Sequence, residues 1–404
     1  MFLKFLKQSP VDTDERKIEE LLTRGVEEVI HRDSLRKKLL SGERLRVKLG
    51  IDPTSPSLHL GRAVPLLKLR DFQTLGHQVV LIIGDGTGVI GDTSDKDSER
   101  PMLTEADVRK NMQTYFKQAG MILDMSRVEQ HRNSKWLHKL TYDEIGVHAN
   151  QFSVSDFIAR DNIKRRLDGG KRVSLREVLY PLMQGYDSVA VRADVELGGT
   201  DQRFNLLAGR TLQEYFKQQP QDVLMTPLIE GTDGRKMSSS WGNTINLNDS
   251  PADVYAKVMK VHDELIITYF TQLTRVPMEE IKILEEGLKT NTLHPRDVKM
   301  QLAKTIVALL HSRAVAQAAE RTFVQTFQKG DLPDDVRKVV GGKGTLLVDV
   351  LLREQLVASK SDFRRLVREG AIVNKTTNEK VGDDAVDALP GVYKIGKHRF
   401  IEVV

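Results

Sequence analysis

The stretch Asp52-Pro-Thr-Ser-Pro-Ser-Leu-His59-Leu-Gly61-Arg62 decides how the chain is read. Before it, Arg46-Val-Lys-Leu-Gly-Ile51 is rich in β-formers and predicts a strand. After it, Ala63, Leu66, Leu67, Leu69, Phe72 and Leu75 recur at helical spacing until Gly76 stops the pattern. A strand, a turn with two prolines and a His-x-Gly that opens a helix suit a nucleoside triphosphate. Gly61 lets backbone approach a ligand, the helix N-terminus favours phosphate, and His59 would donate to a phosphate oxygen. Gly50, Asp52 and Thr54 are candidates for the same site. Alone, the tripeptide fits an ordinary turn equally well.

A second element far downstream completes it: Gly234-Arg235-Lys236-Met237-Ser238-Ser239-Ser240. One lysine followed by a run of hydroxyls is a loop with a point charge and small donors, suited to covering a triphosphate, although a solvated loop would read the same. Together the two stretches resemble the paired signatures of class I aminoacyl-tRNA synthetases, His-x-Gly-His and Lys-Met-Ser-Lys-Ser. Arg62 stands where that family usually has its second histidine and Ser239 where it often has its second lysine. Arg62 keeps a cationic donor of different reach, and the loss at Ser239 shifts the burden to Lys236 and a cation bound with the nucleotide. The resemblance implies His59, Arg62, Lys236, Ser238, Ser239 and Ser240 as the catalytic set, with ATP and Mg2+ as its nucleotide and ion.

The 404 residues suffice for two or three domains, and a hydrophobic share of 40% with a charged share of 29% is that of a globular protein. The net charge of +5 and pI near 9.1 are compatible with a polyanionic partner. With no cysteine, disulfides, thiolate metal sites and a cysteine nucleophile are excluded, and the 10 histidines show no metal-ligand spacing. Met1 to Lys7 lacks the long apolar core of a targeting segment, and there is no 18-residue apolar run for a membrane span. The expected location is the cytoplasm.

Asp14 to Leu40 reads as a charged helical lead-in. Gln78-Val-Val-Leu-Ile-Ile83 is a continuous apolar run, as in a buried parallel strand, so strand, helix and strand form a right-handed βαβ unit. The expected fold class is α/β, a doubly wound, Rossmann-like parallel sheet, followed by a helical domain and a small α+β domain. Gly86-Thr-Gly88-Val-Ile-Gly91 fits G-x-G-x-x-G, which would suit a nicotinamide cofactor only if it opened a helix. A polar run to Pro101 follows instead. Gly91-Asp92-Thr93-Ser94-Asp95 resembles the glycine-rich segment of tyrosyl-tRNA synthetases, with two departures. That resemblance implies that Asp92, with Thr87 near it, binds the amino group of tyrosine. An Asx turn is the plain alternative. Helical patterns run from Thr104 to about Met121 and from Asp156 to Leu167. The second, with Phe157, Ile158, Lys164, Arg165 and Arg166, resembles the connecting insertion that gives relatives a two-fold contact, implying a homodimer. A solvated basic face is the alternative.

Leu179-Tyr180-Pro-Leu-Met-Gln184-Gly-Tyr186-Asp187 puts Tyr180, Gln184 and Asp187 at i, i+4 and i+7, one face of a helix. A core helix whose polar groups satisfy one another would look alike. The set resembles the tyrosine-specifying helix of tyrosyl-tRNA synthetases, which implies that Tyr180 and Gln184 hold the ammonium group of L-tyrosine and Asp187 its phenol. Many relatives carry a tyrosine where Lys48 stands, and the role of Lys48 stays open. Val191 to Leu197 predicts a strand, and Gly198-Gly199-Thr200-Asp201-Gln202 after it resembles a Gly-Gly-x-Asp-Gln motif, implying Gly198 and Asp201 at ATP and Gln202 at tyrosine.

Residues 249–330 are rich in helical patterns and resemble a domain facing the anticodon arm, after a catalytic domain at 1–248. Asp331-Leu-Pro-Asp-Asp and Gly341-Gly-Lys-Gly344 suggest a linker at 331–343. In the unit at 344–404, Lys360, Arg364, Arg365 and Arg368 share one helix face, with Ser359 as cap and Gly370 as stop. That stripe suits phosphate contacts along RNA, a solvated face being the alternative, and resembles a small RNA-binding domain of bacterial synthetases. The whole resemblance implies activation of tyrosine and its transfer to tRNA(Tyr). An RNA-binding paralogue without activity is the other class of reading, which the intact tyrosine-pocket residues oppose.

Overall fold

The apolar runs at 46–51 and 78–83 pair as adjacent parallel strands in the computed structural model, which describes residues 10–94, 102–325, 336–377, 379–383, 385–396 and 399–404. Met1 to Lys7, the polar run from Asp95 to Pro101 and Asp331-Leu-Pro-Asp-Asp lie outside the described residues. In chain order come α1 (Glu15–Thr23), β1 (Glu28–Ile30), α2 (Arg32–Leu40), β2 (Arg46–Ile51), α3 (Leu60–Thr74), β3 (Gln78–Ile83), α4 (Thr87–Ile90), α5 (Glu105–Met112), α6 (Tyr115–Ala119), β4 (Val128–Arg132), α7 (Ser134–Leu137), α8 (Tyr142–Ala149), α9 (Val154–Ile158) and α10 (Asp161–Asp168). They are followed by α11 (Leu175–Val191), β5 (Val195–Gly199), α12 (Arg203–Tyr215), β6 (Asp222–Thr226), α13 (Pro251–Val258), α14 (Ile266–Leu273), α15 (Met278–Lys289), α16 (Pro295–Leu310) and α17 (Arg313–Val324). By packing the chain divides into Met1–Asp249 with Lys257–His311, and Ser250–Ala256 with Ser312–Val404.

The first unit is built on a six-stranded sheet of order β1-β6-β5-β2-β3-β4, parallel throughout except for β1 against β6. From β2 the chain winds outward through β3 to β4, then returns to the other side of β2 as β5 and moves out to β6. This reversal leaves a crevice beyond the C-terminal ends of β2 and β5, where open sheets of this kind take ligands. Val47, Leu49, Val79, Leu81, Val195, Leu197, Val223 and Leu224 bury almost completely. Each fully buried aliphatic side chain contributes about 1.5–3 kcal/mol. Helices α11 and α12 lie so close that a Cβ on Gly185 would come within 3.0 Å of the Ala208 backbone.

Several expectations are corrected. Asp14 to Leu40 is not one helix: Gly25, at φ 59°, follows the end of α1, and Glu28–Ile30 pairs with Val223–Met225. The β-branched Val29 and Ile30 find an open strand edge there, which outweighs the charged helical pattern around them, so the sheet is mixed. Val191 ends α11, and the strand begins at Val195 after Arg192 takes a left-handed turn. The glycine-rich run does open a helix, α4, but only one turn long, closed by Gly91 at φ 79°. Thr104–Met121 and Asp156–Leu167 each divide into two short helices. Arg166, expected on a basic face, is buried in a bidentate ion pair with Glu177 at 2.6 and 3.1 Å.

The second unit carries β7 (Lys338–Val339), β8 (Gly342–Leu346), α18 (Leu347–Arg353), α19 (Lys360–Arg368), β9 (Ile372–Asn374), β10 (Glu379–Lys380), β11 (Asp387–Ala388), β12 (Gly391–Ile395) and β13 (Arg399–Val403). A sheet of order β10-β9-β12-β13-β7 packs with α18 and α19 around Leu347, Leu351, Phe363, Ile372, Ile395 and Ile401. The glycines at 342 and 344, read from composition as linker or its edge, lie in β8, paired with β11. Ser359 caps α19 by accepting the Asp362 N–H at 3.1 Å, and Gly370 follows the helix at φ 64°.

Candidate active site

The residues singled out for tyrosine and ATP line one cavity of about 500 Å³ in the crevice of the first unit. Its β2 side supplies Gly50, Asp52 and Thr54, and the start of α3 supplies His59, Gly61 and Arg62. The start of α4 and the turn after it give Thr87 and Asp92, and α11 gives Tyr180, Gln184 and Asp187. The end of β5 and the turn after it give Gly198, Asp201 and Gln202, and Lys236, Ser238, Ser239 and Ser240 complete the rim.

The three polar residues of α11 do not satisfy one another. Tyr180 donates its hydroxyl to Asp52 Oδ2 at 2.8 Å, and Gln184 Nε2 donates to Glu196 Oε1 at 3.2 Å. Asp187 accepts from Trp136 Nε1 at 2.7 Å and from Asn133 Nδ2 at 3.1 Å. Each points outward from the helix to a different element, so the face is a binding wall rather than a closed core cluster. Burial pushes the Asp187 carboxyl up to about 7, against the pull of Lys48, Trp136 and Asn133. Burial likewise raises Asp52 to about 6, opposed by hydrogen bonds from Thr87, at 2.7 Å, and Tyr180. It also raises the Tyr180 phenol, which stays protonated as a donor. Asp92 accepts from Gln202 Nε2 at 2.7 Å and from the Ser94 backbone N–H at 3.0 Å. The latter is the Asx turn that the sequence allowed, present in a residue that also faces the cavity.

At the other end the two signature stretches meet. His59 and Asn246 form an antiparallel bridge, the Leu60 N–H donates to the Ile245 carbonyl and the Leu247 N–H to the Leu58 carbonyl, both at 2.8 Å. The Gly61 N–H points at Met237 Sδ at 3.3 Å. Gly61 is required on steric grounds too, because a Cβ there would lie 2.9 Å from His59 Nδ1. Burial beside Arg62 and Lys236 lowers the His59 imidazole to about 3, so the ring is neutral, and its buried Nδ1 has no hydrogen-bond partner. Lys236 Nζ reaches Asp201 Oδ2 at 3.0 Å. Ser239 and Ser240 are exposed.

Asn133, Trp136, Glu196 and Ser188 were missed around this site, and Lys48, whose role the sequence left open, lies buried behind it. Asn133 and Trp136 follow the short strand β4, whose residues are only partly buried and whose polar composition gives no alternation to read. Lys48 and Glu196 sit inside apolar strand patterns, where a buried ion pair is invisible until the register is known. The RNA candidates Lys360, Arg364, Arg365 and Arg368 are exposed on α19 of the second unit. Lys360 reaches Asp349 at 3.1 Å, and Arg365 bridges Asp362 at 2.6 Å and Glu369 at 2.9 Å.

A mostly parallel sheet with a strand-order reversal, a His-x-Gly turn at its crevice and a lysine-serine loop whose Met237 meets that turn define a class of nucleotide-using enzyme. The chain belongs to the class I tRNA synthetases of the W and Y type, whose family model matches residues 40–328. It is 46% identical over 389 residues to the tyrosine–tRNA ligase of Moorella thermoacetica, covering 94% of both chains. It is 44% identical to that of Thermotoga maritima, covering 95% of this chain and 96% of the relative. Among solved structures it is similar to a tyrosyl-tRNA synthetase from Archaeoglobus fulgidus complexed with L-tyrosine, with 25% identity, a TM-score of 0.60 and coverage of 76% and 99%. A C-terminally truncated mitochondrial tyrosyl-tRNA synthetase of Coccidioides posadasii gives 26%, a TM-score of 0.62 and coverage of 76% and 91%.

Proposed function

We propose that this chain is a tyrosine–tRNA ligase, which activates L-tyrosine with ATP and transfers it to the 3′ end of tRNA(Tyr). The observation that carries the reading is a single cavity with a buried carboxylate, Asp187, at one end and His59, Arg62 and Lys236 at the other. The tyrosine carboxylate attacks the α-phosphate, a P–O bond forms, and pyrophosphate leaves with the electrons of the broken bond. His59 as a neutral donor, the two cations and Ser238 to Ser240 stabilise charge on the phosphate oxygens. Mg2+ enters with the nucleotide as its complex. The terminal ribose hydroxyl of tRNA then attacks the tyrosyl carbonyl and AMP departs.

In the tyrosine half, Asp187 accepts the phenol hydrogen bond, while Tyr180, Gln184, Asp92 and Gln202 hold the ammonium group, with Thr87 supporting Asp52 behind them. Gly50, Asp52, Thr54, Gly61, Gly198 and Asp201 face ATP, the Asp201 carboxylate exchanging Lys236 for ribose hydroxyls. A Rossmann-like catalytic domain at 1–248, a helical anticodon-arm domain at 249–330 and an RNA-binding unit that includes β7 and so starts before residue 344 divide the work, with Lys360, Arg364, Arg365 and Arg368 on RNA phosphates. Exposed Tyr142, Val154 and Leu167 of α8 to α10, with Tyr215 and Phe216 at the end of α12, support a homodimer. Among the described residues no helix is long and apolar enough to cross a membrane, and we place the protein in the cytoplasm. Tyrosine-dependent exchange of pyrophosphate into ATP tests the reading: exchange with tyrosine and not with tryptophan is the expected result, and its absence overturns it.

A further inference from the structure

Behind the cavity wall lies an ion pair that does not itself line the cavity. Lys48 on β2 and Glu196 on β5 are register partners in adjacent parallel strands. They meet at 2.8 Å with exposures of 0% and 1%. All three ammonium protons of Lys48 are used: besides Glu196 Oε1, they go to Ser188 Oγ at 2.7 Å and to the Gln184 carbonyl at 3.1 Å. None is left for a ligand. Glu196 is equally committed. Oε1 takes the Gln184 side-chain amide as well as Lys48, and Oε2 takes the hydroxyl of Ser188 at 3.0 Å and the amide of Gln221.

An ionised carboxylate only accepts hydrogen bonds, so it dictates which end of a neighbouring carboxamide turns toward it. Glu196 claims the NH2 of Gln184, and the Gln184 Oε1 is then the end available to the cavity, which Asp92 and Asp52 also line. Lys48 holds the Glu196 carboxylate in place, its ammonium donating at 2.8 Å to Oε1, the same oxygen that takes the Gln184 amide.

We propose that Lys48, through its ion pair with Glu196, is a positioning residue that fixes the Gln184 amide with its oxygen toward the cavity and so builds the acceptor for the substrate ammonium group. The proposal rests on the tyrosine reading above. It makes Lys48 a recognition residue one layer removed from substrate, and Gln184 the relay.

The single variant Lys48→Met leaves a buried charge unpaired and endangers folding. The informative variant in the full-length protein is therefore Lys48→Met with Glu196→Gln, which removes both charges at nearly constant volume. Its amide at 196 accepts or donates, and Gln184 is free to invert. Two quantities are compared with the unmodified protein in pyrophosphate exchange: KM for tyrosine, and inhibition by 3-(4-hydroxyphenyl)propionate, which keeps the phenol and carboxylate but has no ammonium group. Loss of a hydrogen bond to a charged group predicts a rise in tyrosine KM of about tenfold or more. KM for ATP and the inhibition constant of the analogue are expected to stay within about twofold. Equal weakening of tyrosine and analogue, or no change in tyrosine KM, overturns the proposal. Failure of the unmodified protein to use tyrosine at all overturns the underlying reading instead, so the two failures are distinguished. If the double variant does not fold, Lys48→Gln with Glu196→Gln, which also leaves no buried charge and lets the two amides hydrogen-bond, is measured against the same two outcomes.

Discussion

The floor and the mouth of the cavity are built on opposite rules. At the floor the polar groups already have protein partners: Asp187 is held by Asn133 and Trp136, Tyr180 by Asp52, and Gln184, through its NH2, by Glu196, itself matched to Lys48, which leaves the Gln184 oxygen for a ligand. At the mouth the groups are unfinished. His59 Nδ1 has no partner, Ser239 and Ser240 face solvent, and Lys236 rests on the one carboxylate proposed to receive ribose. A pre-satisfied floor rejects wrong shapes because any ligand must improve on bonds already made. A mouth of waiting donors stabilises charge that arises only during reaction.

The sharpest way to break this contrast is at the mouth. Lys236→Ala and His59→Ala should each lower pyrophosphate exchange by about two to three powers of ten, with tyrosine binding measured without ATP unchanged. A variant that exchanges at the normal rate would make its residue a bystander. At the floor the expected loss is in selectivity. Asp187→Ala should narrow the ratio of tyrosine to phenylalanine activation by up to about a hundredfold, the value of a hydrogen bond to a charged group at about 1.5–3 kcal/mol. An unaltered ratio would remove Asp187 from the phenol.

Burying Asp187 gives the floor a cost that grows as pH rises, opposite in sense to the cost of burying His59 at the mouth. A carboxyl raised by burial to about 7 binds its proton more tightly folded than unfolded, so its stabilising share is full below the ordinary value of 3.8 and is lost as pH rises through 7. Unfolding free energy should therefore carry a decline on the order of 2 kcal/mol between pH 5 and 8. That decline should be absent from Asp187→Asn, whatever its absolute stability. Parallel pH curves for the two proteins would show that Asp187 is ionised in both states.

How much of this was legible in the sequence follows the same division. The mouth was, because its residues are consecutive: His59-Leu-Gly61-Arg62 and Lys236-Met-Ser-Ser-Ser are motifs whose meaning lies in neighbours along the chain. Tyr180, Gln184 and Asp187 were legible because one helix carries them. Lys48, Glu196, Asn133 and Trp136 were not, because their relation exists only across β2, β5 and the turn after β4. The same cause hid β1: Val29 and Ile30 are a strand because β6 offers an edge, and nothing near them in sequence says so.

The smallest expected effect extends the comparison to the second unit. On α19, as at the floor, cations meet carboxylates: Lys360 pairs with Asp349, and Arg365 with Asp362 and Glu369. Replacing Arg364 and Arg368 together by alanine should make the log–log dependence of tRNA affinity on salt shallower by about 1.4, the share of two phosphate contacts on a single strand. Pyrophosphate exchange should be untouched. An unchanged slope would remove both from the RNA surface.

The backbone bridge between His59 and Asn246 has a consequence for how the protein comes into being. The floor needs nothing beyond Gln221, whereas the mouth waits for Ile245 and Leu247 to lie against Leu58 and Leu60. A chain emerging from the ribosome N-terminus first therefore has every residue of the selective wall before it has the strand segment that pins the reactive turn. A nascent chain arrested short of Asn246 would carry the residues of the selective wall and lack the backbone contact that pins the turn proposed to act on ATP.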